Sequence, residues 1–285
     1  MSRKEKEGRR LKSLGPFTSI IPYIMVERND SQNTITDSFD VSGAENLVKQ
    51  LRAEGYESIG ILHIMIAAYV RAISERPAVN RFIRGQKIYA RNGIVVNIAI
   101  KRKMTLDCPD TVLKFRFKPT DTLIDVYKEV NSILLTTYDT PETSMDSTAR
   151  IINYIPGLIK KFTIFFLKTL DYFGFLPRAI VNVSPFHGSM FITNMASLNI
   201  PPIRHHLYNF GNVPMFIAFG AKRTEYVFAE DGSRTKRRVI DMVLNMDERI
   251  CDGFYYASAL KIYKKYLTNP SLLLKAPERV IEDVR

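Results

Sequence analysis

The order of apolar and polar positions predicts several helices along the chain. Residues 61–74 are apolar on nearly every side, which is typical of a buried helix, and this helix should end before Pro77. Further helices are predicted over residues 42–53 with Ser42 as N-cap and Gly55 after the end, from 120 or 121 to 135, within 150–174, and over 252–266.

Strands are predicted between these helices. Residues 86–103 are rich in Ile, Val and Tyr and contain Asn92-Gly93, a pair that tolerates positive φ, so they predict a hairpin. Further strands are predicted over residues 112–117, 190–193 and 215–219, with a polar connector over 138–148 and a long hairpin over 225–228 and 237–244 closed by Asp231-Gly232. Because helices and strands alternate, we expect a mixed α/β domain with a large sheet.

Composition sets the number of domains and the class of partner. The chain has 285 residues, of which 46% are hydrophobic, enough for one sizeable core. Residues 1–14 are polar and basic and predict a disordered N terminus, followed by a single domain over residues 15–285. The net charge of +12 favours either a solvated basic surface or a polyanionic partner, such as a phosphate-bearing ligand, an anionic membrane or nucleic acid. No helix-turn-helix, RNP-like or zinc signature supports nucleic acid.

The cysteines and the most apolar segment indicate the cellular compartment and the relation of the chain to membranes. Cys108 and Cys251 lie far apart in sequence, which argues against a disulfide framework or a zinc site and fits the cytoplasm. Residues 157–176 include three lysines and an aspartate, so they make a poor membrane-spanning helix. Two interpretations remain open for this segment, which are packing in the core or at a subunit interface, and contact with a membrane surface.

One motif carries most of the functional information. Residues 245–253 read NMDERICDG and lead into the last predicted helix, which ends in Asn269-Pro270 and a leucine-rich segment. This stretch resembles the Asp-His-Arg-x-x-Asp-Gly motif of the 2-oxo acid dehydrogenase (dihydrolipoamide) acyltransferase catalytic domains, which share their fold with chloramphenicol acetyltransferase. The matching residues are Asp247, Arg249, Asp252 and Gly253, whereas the catalytic histidine of the family is replaced by Glu248.

Two weaker stretches extend the resemblance over residues 16–275. Residues 190–198, MFITNMASL, resemble the segment of the family in which a hydroxyl stabilises the tetrahedral oxyanion, and Thr193 matches that hydroxyl. Residues 72–80, AISERPAVN, resemble the helix that ends in Pro-x-x-Asn. The lipoyl-bearing domain that usually precedes the catalytic unit is not expected in this chain, so we expect no lipoyl group.

The resemblance implies a fold, an assembly and a chemistry. It implies a chloramphenicol acetyltransferase-like α/β fold, with a large mixed β-sheet flanked by helices, and a homotrimer. It implies that the substrate is coenzyme A as acyl-CoA, with no metal, and that the active site lies between subunits. Glu248 of one subunit would then meet Thr193 of the next, with Asp252 in a supporting role.

The replacement of histidine leaves the source of the base open. Glutamate is ordinarily a much weaker base than histidine. Glu248 is therefore a desolvated general base, a structural partner of Arg249 or another cation, or the mark of a lost activity. His187 precedes the strand of Thr193 and could approach the site, and the adjacent pair His205 and His206 is another possible substitute.

Two functions follow from these alternatives. One is the transfer of an acyl group from acyl-CoA to a small thiol, hydroxyl or amine acceptor. The other is a catalytically silent homologue that acts as a trimeric scaffold or regulatory subunit. The basic hairpin over residues 222–238 could meet the phosphates of CoA or another anion, although a solvated hairpin is the favoured interpretation.

Overall fold

The computed structural model describes residues 7–101, 105, 110–139, 147, 150 and 153–285. Its strands are β1 (Gly8–Arg10), β2 (Gln32–Asp40), β3 (Phe82–Arg84), β4 (Lys87–Arg91), β5 (Ile94–Lys101), β6 (Asp110–Phe117), β7 (Met190–Asn194), β8 (Met215–Phe228) and β9 (Arg234–Asp247). A small sheet has the order β1-β4-β3, and a six-stranded sheet has the order β2-β9-β8-β7-β5-β6. In the larger sheet β7 is parallel to β5 and β8, and the other pairs are antiparallel.

Helices in the described part of the chain contact both sheets. They are α1 (Pro16–Ile24), α2 (Ser42–Ala53), α3 (Ile61–Glu75), α4 (Leu123–Asp139), α5 (Gly157–Phe173), α6 (Arg178–Val183) and α7 (Gly253–Thr268). Helix α3 is buried from His63 to Ser74 and packs against α4 and α7, which confirms the predicted core helix. Met190, Ile192 and Ile217 face this core from β7 and β8. The mixed sheet with its flanking helices confirms the predicted fold class.

The hairpin predicted over residues 86–103 is wrong. β4 pairs with β1 and β3 in the small sheet, whereas β5 pairs with β6 and β7 in the large one. Gly93 does turn the chain with φ of +76°, but the turn carries it from one sheet to the other. Strand propensity does not specify the pairing partner, so two Ile- and Val-rich runs around a turn can join different sheets. Residues 102–103 lie outside the described residues.

The disorder predicted for residues 1–14 stays a prediction, and the structure describes contacts for residues 8–13 of this segment. Gly8–Arg10 pairs with β4, and Leu11 is buried in the core. The Ser13 amide donates to the carbonyl of Arg285, which joins the two ends of the chain. Backbone pairing and one buried leucine thus hold a segment whose side chains are mostly polar. Residues 1–6, Cys108 and most of the predicted connector over residues 138–148 lie outside the described residues.

Helix α5 lies on the surface of the chain. Leu158 is 86% exposed, Phe162 68% and Phe165 65%, whereas Asp171 is the buried residue of this helix. Packing in the core of its own chain is therefore excluded, and the subunit interface and the membrane surface remain as interpretations. Among the described residues, no helix is both long enough and apolar enough to span a bilayer.

Candidate functional site

The hydroxyl of Thr193 lies beside an imidazole. Thr193 is near the end of β7, on the face of the sheet opposite the helical core, and its side chain is buried. Its Oγ1 lies 3.3 Å from Nε2 of His205, in the segment between β7 and β8. The ring of His205 stacks on Phe216 at 4.2 Å between centroids, and Phe216 stacks in turn on Phe191. This aromatic stack fixes the imidazole plane relative to the hydroxyl.

The surroundings of His205 favour its neutral form. Burial, together with the neighbouring His206, lowers the pKa of His205 below its ordinary value. A neutral imidazole can accept a proton from a hydroxyl or thiol. The sequence left His205 as one of three possible substitutes for the histidine of the family, and of these three it is His205 that lies beside Thr193.

Glu248 follows β9 and is held by neighbours on β2 and before it. Its amide donates to the carbonyl of Ser31, and its Oε2 accepts a hydrogen bond of 2.6 Å from Asn33. The side chain is partly buried. Its interpretation as a partner of Arg249 is wrong, because the Arg249 guanidinium binds Asp247 and the carbonyls of residues 25 and 26. Asn33 is the polar partner that the sequence did not reveal.

A buried charge cluster anchors the turn that carries Glu248. Asp247 receives two hydrogen bonds of 2.8 Å from Arg249, and Nε of Arg28 lies 3.4 Å from its Oδ2. All three side chains are almost fully buried. Arg28 also donates to the carbonyls of Tyr208 and Gly211. The cluster therefore links the turn at Glu248 to the segment that contains His205.

Asp252 plays a local structural role in the single chain. Its carboxylate is the N-cap of α7 and accepts a hydrogen bond of 2.8 Å from the amide of Tyr255. The side chain is exposed. This cap starts the last helix and so fixes the end of the loop that begins at Glu248.

Glu248 and Thr193 do not meet within one chain. Thr193 on β7 is the register partner of Ala218 on β8, whereas the amide of Asp247 donates a hydrogen bond to the carbonyl of Pro214. The separation of four positions from Pro214 to Ala218 corresponds to about 13 Å along the strand. The pairing of Glu248 with Thr193 across a subunit interface stays a prediction.

His187 lies away from Thr193. It is buried before β7, near the opposite end of that strand, with Nε2 3.2 Å from Asp171 and Nδ1 2.8 Å from Ser184. Burial acts to raise the pKa of Asp171, but the hydrogen bond from His187 and nearby arginines lower it below the ordinary value. Within the described ranges, no group of three or more His, Cys, Asp or Glu side chains is placed to hold a metal ion.

Comparison with solved structures places the fold among acyltransferases. A probable dihydrolipoamide acetyltransferase from Listeria monocytogenes matches with a TM-score of 0.59 and 14% identity, over 91% of this chain and 94% of that one. The dihydrolipoamide acetyltransferase of Azotobacter vinelandii matches with a TM-score of 0.60 and 13% identity, over 92% and 94%. A chloramphenicol acetyltransferase matches with a TM-score of 0.54 and 14% identity, over 89% and 96%.

These likenesses establish the fold that the sequence motifs predicted. No protein-family model and no curated protein matches the sequence. The A. vinelandii structure belongs to work on the role of a serine, a histidine and an asparagine in its catalytic mechanism. At identities of 13–14% the shared feature is the fold, so the chemistry has to be argued from the residues of this chain.

Proposed function

We propose that this protein is a coenzyme A-dependent acyltransferase in which His205 supplies the imidazole that position 248 lacks. The observation that carries the proposal is the 3.3 Å contact between Nε2 of His205 and Oγ1 of Thr193. This contact supports the proposal because an imidazole next to Thr193 could act as a base beside the hydroxyl that the resemblance assigns to the oxyanion. The acyltransferase fold supports the same chemistry.

The proposed reaction is a direct transfer from acyl-CoA to a small thiol, hydroxyl or amine. Neutral His205 takes the proton of the acceptor, whose thiol, hydroxyl or amine group attacks the thioester carbonyl. The Thr193 hydroxyl donates a hydrogen bond to the oxyanion that forms. When the carbon–sulfur bond breaks, the imidazolium returns the proton to the CoA thiolate. The products are the acylated acceptor and free CoA.

The test is an assay of acetyl transfer from acetyl-CoA, in which the free thiol of the released CoA is measured. Dihydrolipoamide and chloramphenicol are among the acceptors. We expect His205→Gln to lower kcat/KM by about 10²–10⁴ and Thr193→Val by about 10²–10³. Because the pKa of His205 is lowered, wild-type activity should persist to lower pH than a base with the ordinary pKa of histidine would allow.

Two matched variants make this test discriminating. His206→Gln removes the adjacent, exposed imidazole and should leave kcat/KM nearly unchanged. Glu248→Gln tests the alternative base that lies across a proposed subunit interface. Loss of activity in Glu248→Gln but not in His205→Gln would transfer the role of base to Glu248. Absence of acetyl-CoA binding to the wild type, measured by calorimetry, would reject acyl transfer.

A catalytically silent scaffold is the second candidate, and one contact favours it. The Glu248 carboxylate is engaged by Asn33, which is a structural use of the position where the family has its base. Both candidates include a homotrimer, so sedimentation equilibrium tests the assembly but does not separate them. CoA binding without turnover by any acceptor, unchanged in His205→Gln, would favour the scaffold.

A further inference from the structure

A cavity of about 510 Å³ opens between β6, the turn before β5 and the segment that links α5 to α6. This volume is in the range of small-molecule sites. Neither Thr193 nor Glu248 lines it. The residues to which the proposed acyl transfer assigns the chemistry therefore lie outside this cavity.

The lining of this cavity is strongly cationic. Its cations are Arg84, Arg91, Lys114, Arg116 and Arg178. Its carboxylates are Glu7 and Asp171, so the positive charges exceed the negative ones by three when Lys114 is protonated. Such an excess around a concave, partly buried space attracts anions because the walls screen the charges poorly.

The two carboxylates are already engaged. Glu7 forms an ion pair with Arg84, and Asp171 is hydrogen-bonded to His187. In the part of the chain that the structure describes, no carboxylate lies within ion-pair distance of the remaining four cations of the lining. The Arg91 guanidinium instead donates to the backbone and side-chain oxygens of Asn212.

Two of these cations lie side by side on the edge strand. Lys114 and Arg116 alternate along β6 with core residues and share one face. Lys114 donates to the carbonyls of Val181 and Ser184 at 2.9 and 2.7 Å, and Arg116 donates to Oδ1 of Asn182 at 3.0 Å. These partners are neutral, so they orient the cations without neutralising them. Burial, with Arg116 and Arg91 nearby, lowers the pKa of Lys114 to about 7.

Unused hydrogen-bond donors remain at the same site. The Nε atoms of Arg84 and Arg91 are buried and have no hydrogen-bond partner among the described residues. A buried donor without a partner is unfavourable. The outer nitrogens of an arginine guanidinium form a fork that matches the oxygens of phosphate.

We propose that this cavity binds a small molecule that carries phosphate groups. A phosphate group carries more negative charge than a single carboxylate, which suits the excess of three positive charges. The apolar side chains of Val95, Leu176 and Val181 form part of the wall and accommodate the non-polar part of the ligand. Arg116 and Arg178, which are exposed on one side, meet the phosphate at the mouth.

The test is isothermal titration of the full chain with pyrophosphate at constant ionic strength, with citrate as an anion of similar charge. The cavity variant is Arg116→Gln/Arg178→Gln, in which both changed side chains are exposed. The control is Arg234→Gln/Arg237→Gln on β9, which removes two exposed arginines away from the cavity. Acyl transfer is not part of the measurement, so this inference can fail or succeed without the proposed function.

We expect pyrophosphate to bind the wild type and the control with similar affinity, and the cavity variant at least about tenfold more weakly. Binding of citrate should be clearly weaker than binding of pyrophosphate. The inference is overturned if pyrophosphate does not bind, if the two double variants lose affinity equally, or if citrate binds as tightly as pyrophosphate.

Discussion

Replacing Asp247 by Asn should destabilise the protein far more than replacing an exposed aspartate in a comparable ion pair. Asp247 is fully buried between Arg28 and Arg249, which are 6% and 3% exposed. The amide keeps the shape of the carboxylate but leaves two buried guanidinium groups without a counter-charge. Breaking a buried pair in this way costs about 3–5 kcal/mol of unfolding free energy. Since domains of this kind are stable by about 5–15 kcal/mol, the loss is a large fraction of the total.

The control for this prediction is Asp241→Asn. Asp241 forms an ion pair of 2.9 Å with Arg223, but both side chains are 33–43% exposed, so its loss should cost about 0–1 kcal/mol. The chain has no tryptophan whose fluorescence could report unfolding. Unfolding of both variants in urea is therefore monitored by far-ultraviolet circular dichroism. All samples need the same protein concentration, since assembly shifts apparent stability. A difference below about 1 kcal/mol between the variants would refute the argument from burial.

Two further predictions concern the cavity and the loop before β8. Near pH 8 the Lys114 amine, with its pKa of about 7, is mostly neutral, so binding of a phosphate should add a proton to it. Calorimetry in buffers of different ionisation enthalpy should show a proton uptake in the wild type that Lys114→Met lacks. Equal proton uptake in both proteins would contradict the assignment. Gly211 has φ of +79°, and an added Cβ would lie 2.0 Å from the carbonyl oxygen of Phe186, whereas Gly232 has φ of +77° in open space. Gly211→Ala should therefore lower the unfolding free energy, measured by urea unfolding, by about 2–4 kcal/mol, and Gly232→Ala should lower it by about 1 kcal/mol. Similar losses in the two variants would show that small movements relieve the contact between the added Cβ and the carbonyl of Phe186.

Local patterns predicted the elements better than their partners. The buried helix α3 and the hairpin of β8 and β9 follow from composition and from the Asp231-Gly232 turn, because both depend on residues near in sequence. The separation of β4 and β5 into two sheets depends on contacts with β1 and β7, which lie far away in the chain. Local strand propensity carries no information about such distant partners.

The candidate site shows the same limit. The motif around Glu248 located one turn correctly as the link between β9 and α7, since its neighbours Asp247 and Asp252 bond within a few residues. The contact of Glu248 with Asn33 and that of Thr193 with His205 join different segments. A histidine pair in an irregular segment gives no periodic signal, so its position over the sheet follows only from the fold.

The position of His205 has a consequence for how the site is assembled. A base at position 248 lies too far along the sheet from Thr193 of its own chain, so that arrangement requires a neighbouring subunit to complete the site. His205 and Thr193 are twelve residues apart in sequence and meet within one chain. Under the proposed function, the general base His205 and the Thr193 hydroxyl that donates a hydrogen bond to the oxyanion therefore come from the same subunit. The carboxylate of Glu248 is then free to serve the contact with Asn33 that the structure shows.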